Sequence, residues 1–323
     1  VNAQKNSQKI DAVLPLTLRD YPRFEILDKS FKRFFKDLGK CWIVTPDREF
    51  EQIKNLIQDD RYCVISESSL APEFKIFQKS RFSLFKVVPG WYKQQIIKIA
   101  IADKIETDFY LTLDADVICT RPTFFEDLVK EGRAVCYIHP TERNTQRDWY
   151  GWAEKVLRLK SRNREVLHNV TPVVLSKQAM FELQNYLSQI YQQIIIPRTR
   201  REVRAALLKA YAQFLPQDSS RRAQLLSWRS LLSVSIPWTE YGLYYIFLEE
   251  TDRFDRYHVL VEDSLYAKDH SVWYKEEFDA WNVDEVFSPD STHCFVVVQS
   301  WLNLDIDQVR QKVDRYLNDY AEK

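Results

Sequence analysis

Glycine is scarce: the 323-residue chain has only five. Loops that cradle phosphate need glycine where the backbone must come close, and neither a GxxxxGK[ST] nor a GxGxxG spacing exists here, so P-loop kinases and dinucleotide-dependent dehydrogenases are excluded. A nucleotidyltransferase would want a Gly-rich basic loop after its first strand, and Leu16-Thr17-Leu18-Arg19-Asp20 has no glycine. The five cysteines (Cys41, Cys63, Cys119, Cys136, Cys294) lie singly in or beside apolar runs and never as CxxC. They read as reduced core residues, pointing to a cytoplasmic protein. No run approaches the roughly 18 apolar residues of a membrane span, and residues 1–9 lack an apolar signal-peptide core, so membrane contact is expected to be peripheral. Charge of one sign is also missing: Lys+Arg and Asp+Glu balance at 46 each, and no nucleic-acid partner is expected.

What is present is ordinary for a chain that folds throughout, with 45% apolar and 28% charged residues. Aromatics are abundant at 14%, which suits a Gly-poor core and equally suits sugar-stacking surfaces. Short β-branched or aromatic runs alternate with helical segments, the pattern of a mostly parallel sheet covered by helices. Strands are expected at 10–16, 41–45, 62–66, 108–113, 134–138, 171–175 and 294–299. Helices are expected at 24–38, 48–58, 94–105, 238–250 and 307–320, and the Trp- and Arg-rich stretch 149–164 reads as a helix plus loop. The whole of 1–323 is read as one α/β domain carrying a basic helical insertion at 191–235. That insertion holds eight basic residues against Glu202 and Asp218. Within it Val203, Ala206, Leu207, Ala210, Tyr211 and Phe214 recur at helical spacing. The segment 198–222 is therefore either a peripheral membrane contact or a solvated helix covering a core edge.

The chemistry concentrates in one place. The apolar run Phe109-Tyr110-Leu111-Thr112-Leu113 leads straight into Asp114-Ala115-Asp116 and then Val117-Ile118, which plants two carboxylates where a buried strand leaves the core. Asp-x-Asp alone is a weak signal, because acidic triplets commonly mark turns. At a strand's carboxyl end, however, two carboxylates can hold Mg²⁺ or Mn²⁺, hard cations that take oxygen ligands and keep positions open for phosphate oxygens.

Leu111-Thr112-Leu113-Asp114-Ala115-Asp116 followed by Arg121-Pro122 resembles the strand and DxD motif of GT-A glycosyltransferases. Gly90-Trp91-Tyr92-Lys93-Gln94-Gln95 with Lys98, His168-Asn169-Val170-Thr171-Pro172 and Trp238-Thr239-Glu240-Tyr241 resemble bacterial, including cyanobacterial, polysaccharide-associated glycosyltransferases long catalogued as a domain of unknown function. The resemblance implies a GT-A fold, a Mn²⁺ or Mg²⁺ cofactor and a UDP-sugar donor, with glucose or galactose foremost. It also implies a saccharide or polyprenyl-linked saccharide acceptor, at the inner face of the plasma membrane. Asp116 would bind the metal directly, with Asp114 assisting or contacting the ribose. Strand one would meet the base through Pro15, Leu16 and Thr17, and many such enzymes draw a third metal ligand from their C-terminal part, for which His270 is the best candidate.

Other roles stay open between chemistry and structure. Gln95 and Lys98 lie on a helix expected near the acidic pair, where Lys98 either neutralises a phosphate or sits on a solvated face. Glu240, in an aromatic setting that raises a carboxyl pKa, is the candidate base of an inverting transfer, and equally complements a helix N-terminus after Pro237. His168, Asn169, Trp238 and Tyr241 are candidates to touch donor sugar or acceptor. The competing reading is a sugar-nucleotide or polysaccharide-binding protein of the same fold without turnover.

Overall fold

The computed structural model describes residues 8–78, 88–142, 149–162, 165–167, 171–194, 197, 200–235 and 237–318. In chain order the strands are β1 (Ile10–Pro15), β2 (Leu38–Thr45), β3 (Tyr62–Ser66), β4 (Phe109–Thr112), β5 (Val117–Cys119), β6 (Val129–Lys130), β7 (Arg133–Glu142), β8 (Glu165–Leu167), β9 (Val173–Ser176), β10 (His258–Val261) and β11 (Phe295–Val297). The central sheet runs β3-β2-β1-β4-β9, with parallel pairing throughout except for the antiparallel β4–β9 edge. Helices flank it, giving a mixed α/β fold around a mostly parallel sheet.

Strands buried on both faces must be apolar at successive positions, and β1 is buried at every residue. Its alternation splits the core. Val13 faces the cluster that also holds Ile96, Ile99 and Tyr110, while Ala12 and Leu14 face the one that holds Leu27, Phe31 and Leu111. Asp11 is tolerated inside β1 because both oxygens of its carboxylate are satisfied. Oδ1 accepts from the Lys40 amide at 2.9 Å and Oδ2 from the Glu106 amide at 2.8 Å. Gly39 makes room for it, since a Cβ there would lie 2.4 Å from Asp11 Oδ1.

Helix boundaries follow local chemistry more closely than periodicity indicated. The first helix is Tyr21–Phe34, with proline in its opening turn, and it ends at the extended Phe35. The helix Gly90–Ala100 begins just after Pro89 and gives way to a 3₁₀ turn at Ile101–Asp103, where a longer α-helix was expected. The helix Glu240–Glu250 is buried along nearly its whole length, and the Thr239 hydroxyl accepts from the Gly242 amide at 2.9 Å to cap it. The run expected at 134–138 extends as β7 in a second sheet, beside β10 and β6. The basic region forms helices Arg200–Gln213, Ser220–Leu225 and Trp228–Val234. Towards the C-terminus β11 returns antiparallel to β5, and the helix Ile306–Asn318 packs its Val309, Val313 and Leu317 into a third cluster with Ile26 and Ile118.

Candidate active site

Because β1 and β4 run parallel with Val13 opposite Thr112, and the Leu113 amide donates to Val13 O, the chain leaves β4 at Asp114 beside the end of β1. At the same edge the ends of β1 and β2 open into a cleft of about 520 Å³. Pro15, Leu16 and Thr17 line it, joined by Lys93 of the motif 90–95 and by Asp47, Arg48 and Glu67, which sequence reasoning did not single out. The loop after β1 is held by Glu49, whose Oε2 accepts from the Leu18 amide at 2.8 Å. Lys93 and Glu67, both largely buried, pair at 2.7 Å within the cleft wall. A large cleft at the carboxyl edge of parallel strands is where ligands bind in open α/β sheets.

The acidic pair is built by three separate segments. Lys98, only 2% exposed, places Nζ 2.9 Å from Asp114 Oδ1 and 3.3 Å from Glu240 Oε1, and lies over the Tyr241 ring. Thr171 Oγ1 donates to the other oxygen of Asp114. Asp116 Oδ2 accepts from the Ser300 amide at 2.9 Å, and Val298 N donates to Asp116 O, so the strand exit and the chain after β11 are tied together. Burial alone would lower the Lys98 pKa, but Asp114, Tyr241 and Glu240 reverse that and hold it well above the ordinary lysine value. Burial pushes the Asp116 carboxyl up to about 6, Asp114 adds to the rise, and the Ser300 amide opposes it. Burial likewise raises Glu240, against the pull of Lys98.

These groups test whether a divalent cation fits. Asp114 and Glu240 flank one ammonium, Lys98, and Asp116, which adds to the charge felt at Asp114, has no such partner, so the three carboxylates and the one ammonium carry a formal charge of −2 when all are ionised. Buried charge of one sign is costly unless paired, so a dication at Asp114 and Asp116 suits the donor set. Asp114, with its side chain 38% exposed, is the accessible member. Among the described residues no three His, Cys, Asp or Glu side chains gather as a metal site. Mg²⁺ is nevertheless commonly bound by one or two carboxylates plus substrate phosphates.

Several expected contacts are revised by the geometry. His270 is not gathered with the aspartates: its Nδ1 lies 3.5 Å from Glu285, on a partly exposed face of the C-terminal segment. Trp238 is fully buried with Nε1 donating to Leu232 O at 3.1 Å, and Tyr241 is buried with its hydroxyl 2.7 Å from Thr112 Oγ1. Neither presents a face to sugar, because aromatic bulk serves here to fill a core poor in glycine. Gln95 is turned inward as well, its Oε1 accepting from the Glu240 amide at 3.2 Å. Lys98 is engaged by carboxylates and sits on no solvated face. Glu240, 1% exposed, is held on Lys98 and reaches no solvent from which to deprotonate an acceptor. His168 and Asn169 lie outside the described residues. An aromatic surface does exist nearby: Trp91, 42% exposed on the helix whose Gly90 and Lys93 line the cleft, stacks on Trp149 with centroids 5.6 Å apart. Thr171 was named only as part of the motif 168–172 and Ser300 not at all; each acts on the acidic pair through a single contact from a distant segment.

Fold and site together define a mixed α/β protein with an acidic pair at the carboxyl edge of a mostly parallel sheet, beside a large cleft. The model of a family of unknown function, DUF6492, matches residues 7–321, and the chain belongs to that family. No curated protein matches it in sequence. Among solved structures it is similar to the apo form of the glycosyltransferase GlyE of Streptococcus pneumoniae, at 12% identity over 96% of this chain and 64% of that one, with a TM-score of 0.38. The galactosyltransferase LgtC, in complex with donor and acceptor sugar analogs, matches at 7% identity over 97% of both chains, TM-score 0.44. Glucosyl-3-phosphoglycerate synthase of Mycobacterium tuberculosis, in complex with Mn²⁺, UDP and phosphoglyceric acid, matches at 15% identity over 58% of this chain and 64% of that one, TM-score 0.32. The chain thus spans just under two thirds of the length of GlyE and of the synthase.

Proposed function

We propose that the protein is a metal-dependent glycosyltransferase of the GT-A type. On this reading it transfers a hexose, glucose or galactose foremost, from a UDP-sugar to a saccharide or polyprenyl-linked saccharide in envelope or extracellular polysaccharide synthesis at the cytoplasmic face of the membrane. The observation that supports the reading is that the chain leaves β4 at Asp114 and Asp116 beside the end of β1, whose residues Pro15 to Thr17 line the cleft, with a negative charge that a dication would neutralise. Asp116 and Asp114 would hold Mn²⁺ or Mg²⁺, which offsets the negative charge growing on a departing diphosphate. Pro15, Leu16 and Thr17 line the space for the nucleoside. Lys98 positions Asp114, and Glu240 positions Lys98. The buried Glu240 serves this reading as a positioning residue and not as the base first expected, and the anomeric outcome is to be read from the product by NMR.

The test is release of nucleoside diphosphate from a panel of UDP- and GDP-sugars with Mn²⁺, Mg²⁺ or EDTA, with saccharide acceptors added. Release should require the metal and fall by roughly 10²-fold or more in Asp116→Ala, as expected when a main site of charge stabilisation is removed. UDP binding without release for any sugar and acceptor would instead favour a non-catalytic sugar-nucleotide-binding protein.

A further inference from the structure

The helix Arg200–Gln213 carries two apolar stripes on opposite sides. Ala205, Leu208 and Ala212 are buried and join the cluster that contains Tyr191 and Leu225. That contact fixes the helix, and the Tyr191 hydroxyl donates to Leu225 O at 2.8 Å beneath it. At 100° per residue, Val203, Leu207, Tyr211 and Phe214 fall on the reverse side. All four are exposed, from 42% at Val203 to 86% at Phe214. Large apolar side chains scattered singly on a surface need no explanation, but a contiguous row at positions i, i+4, i+8 and i+11 does. Cations border it: Arg204 is exposed next to the row, and the exposed Arg221 guanidinium lies 5.9 Å from the centre of the Tyr211 ring. Between 191 and 235 the sequence holds eight basic and two acidic residues in a chain whose formal net charge is zero.

We propose that the outer face of the helix Arg200–Gln213, with Phe214 following it, is a docking surface for an anionic lipid bilayer. An apolar row flanked by arginines matches the layering of such a bilayer, acyl chains within and anionic headgroups at the rim. The same positive rim would disfavour a second copy of this face, since like charges would meet across the two-fold axis. Because the inner stripe is already satisfied by the core, docking requires no unfolding of the helix. Among the described residues no helix is long and apolar enough to cross a membrane, so contact of this kind lies along the surface. The inference does not depend on sugar transfer; if the transfer reading holds as well, it brings the cleft to the surface where a lipid-linked acceptor is found.

The experiment is sedimentation of the full chain with phosphatidylglycerol-containing vesicles and with neutral phosphatidylcholine vesicles, in EDTA and without donor sugar. Binding should favour the anionic vesicles and weaken with salt. Phe214→Ser with Leu207→Ser should reduce it by about tenfold or more, and Arg204→Glu with Arg221→Glu by at least as much, with an unchanged Tm because all four side chains are exposed. Equal binding of wild type and both variants, or no binding of wild type to anionic vesicles, overturns the proposal. So does a concentration-dependent dimer in light scattering that Phe214→Ser dissolves, which would make a second copy the occupant. Since donor turnover is measured separately, a negative vesicle result leaves the transferase reading standing, and the converse also holds.

Discussion

Replacing Lys98 by methionine tests the electrostatic design of the site. Methionine approximates the aliphatic stem of lysine, so the change chiefly removes the ammonium from between Asp114 and Glu240. The two carboxylates then fare differently. Asp114, with over a third of its side chain exposed, can rehydrate, whereas Glu240, with a side chain only 2% exposed, cannot. The cheapest response of Glu240 is to stay protonated in the folded state. Relative to an unfolded glutamate with pKa near 4.3, that costs about 1.4 kcal/mol per pH unit, or about 3.7 kcal/mol at pH 7 and about 1 kcal/mol at pH 5. The sign follows from proton counting: the folded variant binds a proton that the unfolded chain has lost, so its stability falls as pH rises above about 4.3. A loss of 3 to 4 kcal/mol also matches the usual cost of stripping one partner from a buried ion pair. Urea denaturation in EDTA at pH 5 and pH 7 measures it. Lys98→Met should be destabilised by about 3 kcal/mol at pH 7 and far less at pH 5. The double variant Lys98→Met/Glu240→Gln should recover most of the difference and lose the pH dependence. A loss under about 1 kcal/mol at pH 7, equal losses at both pH values, or a double variant no more stable than the single would refute the reasoning.

Further outcomes follow from other buried groups. His258 is fully buried, its Nε2 2.9 Å from the Tyr244 hydroxyl, and burial pushes its pKa down to about 3. A depressed histidine contributes stability that is present above its unfolded pKa of about 6.5 and lost as pH falls, by about 2 kcal/mol at pH 5. Wild type should show that component in urea melts, and His258→Gln should lack it. Trp238→Ala should cost about 3 to 5 kcal/mol as a core cavity, checked by denaturation; an unchanged stability with a raised acceptor KM would restore the sugar-contact reading. Gly39→Ala, which drives a Cβ against Asp11 Oδ1, should destabilise by about 1 to 3 kcal/mol, and Asp11→Asn should not relieve it because the clash is steric.

The sheet was legible because its signal is local and strong. Apolar runs bounded by charged or turn residues placed β1 to β4 to within a few residues, and the strand carrying the acidic pair ended one residue before the boundary expected, at Thr112. Helix ends were less legible, since 3.6-residue periodicity continues through Ile101 and Ile105 although the α-helix itself stops at Ala100 and passes into a 3₁₀ turn. At the site, residue types near the acidic pair could be named from the chain but not the direction of their side chains. Gln95, Lys98, Glu240 and Tyr241 do gather at the strand exit, yet inside it, because their partners Thr112, Asp114 and Thr171 come from other segments.

The helix Arg200–Gln213 shows the same ambiguity in its simplest form. Its bulky row Val203, Leu207, Tyr211 and Phe214 dominates any periodicity count, and sequence reasoning leaves that row facing either a membrane or a core edge. The core instead receives Ala205, Leu208 and Ala212, and the two alanines let the helix approach the neighbouring cluster closely around Leu208. Hydrophobic weight identifies an apolar face, whereas fit selects which face is inside, and fit depends on surfaces brought in from elsewhere in the chain. A helix with one large and one small apolar face therefore carries a testable asymmetry. Leu208→Ser, on the inner stripe, should lower stability by about 2 kcal/mol or more, while Leu207→Ser, one residue away, should leave it within about 0.5 kcal/mol. Equal losses in thermal or urea unfolding would mean that the helix is rotated from the orientation described, and the outward apolar row with it.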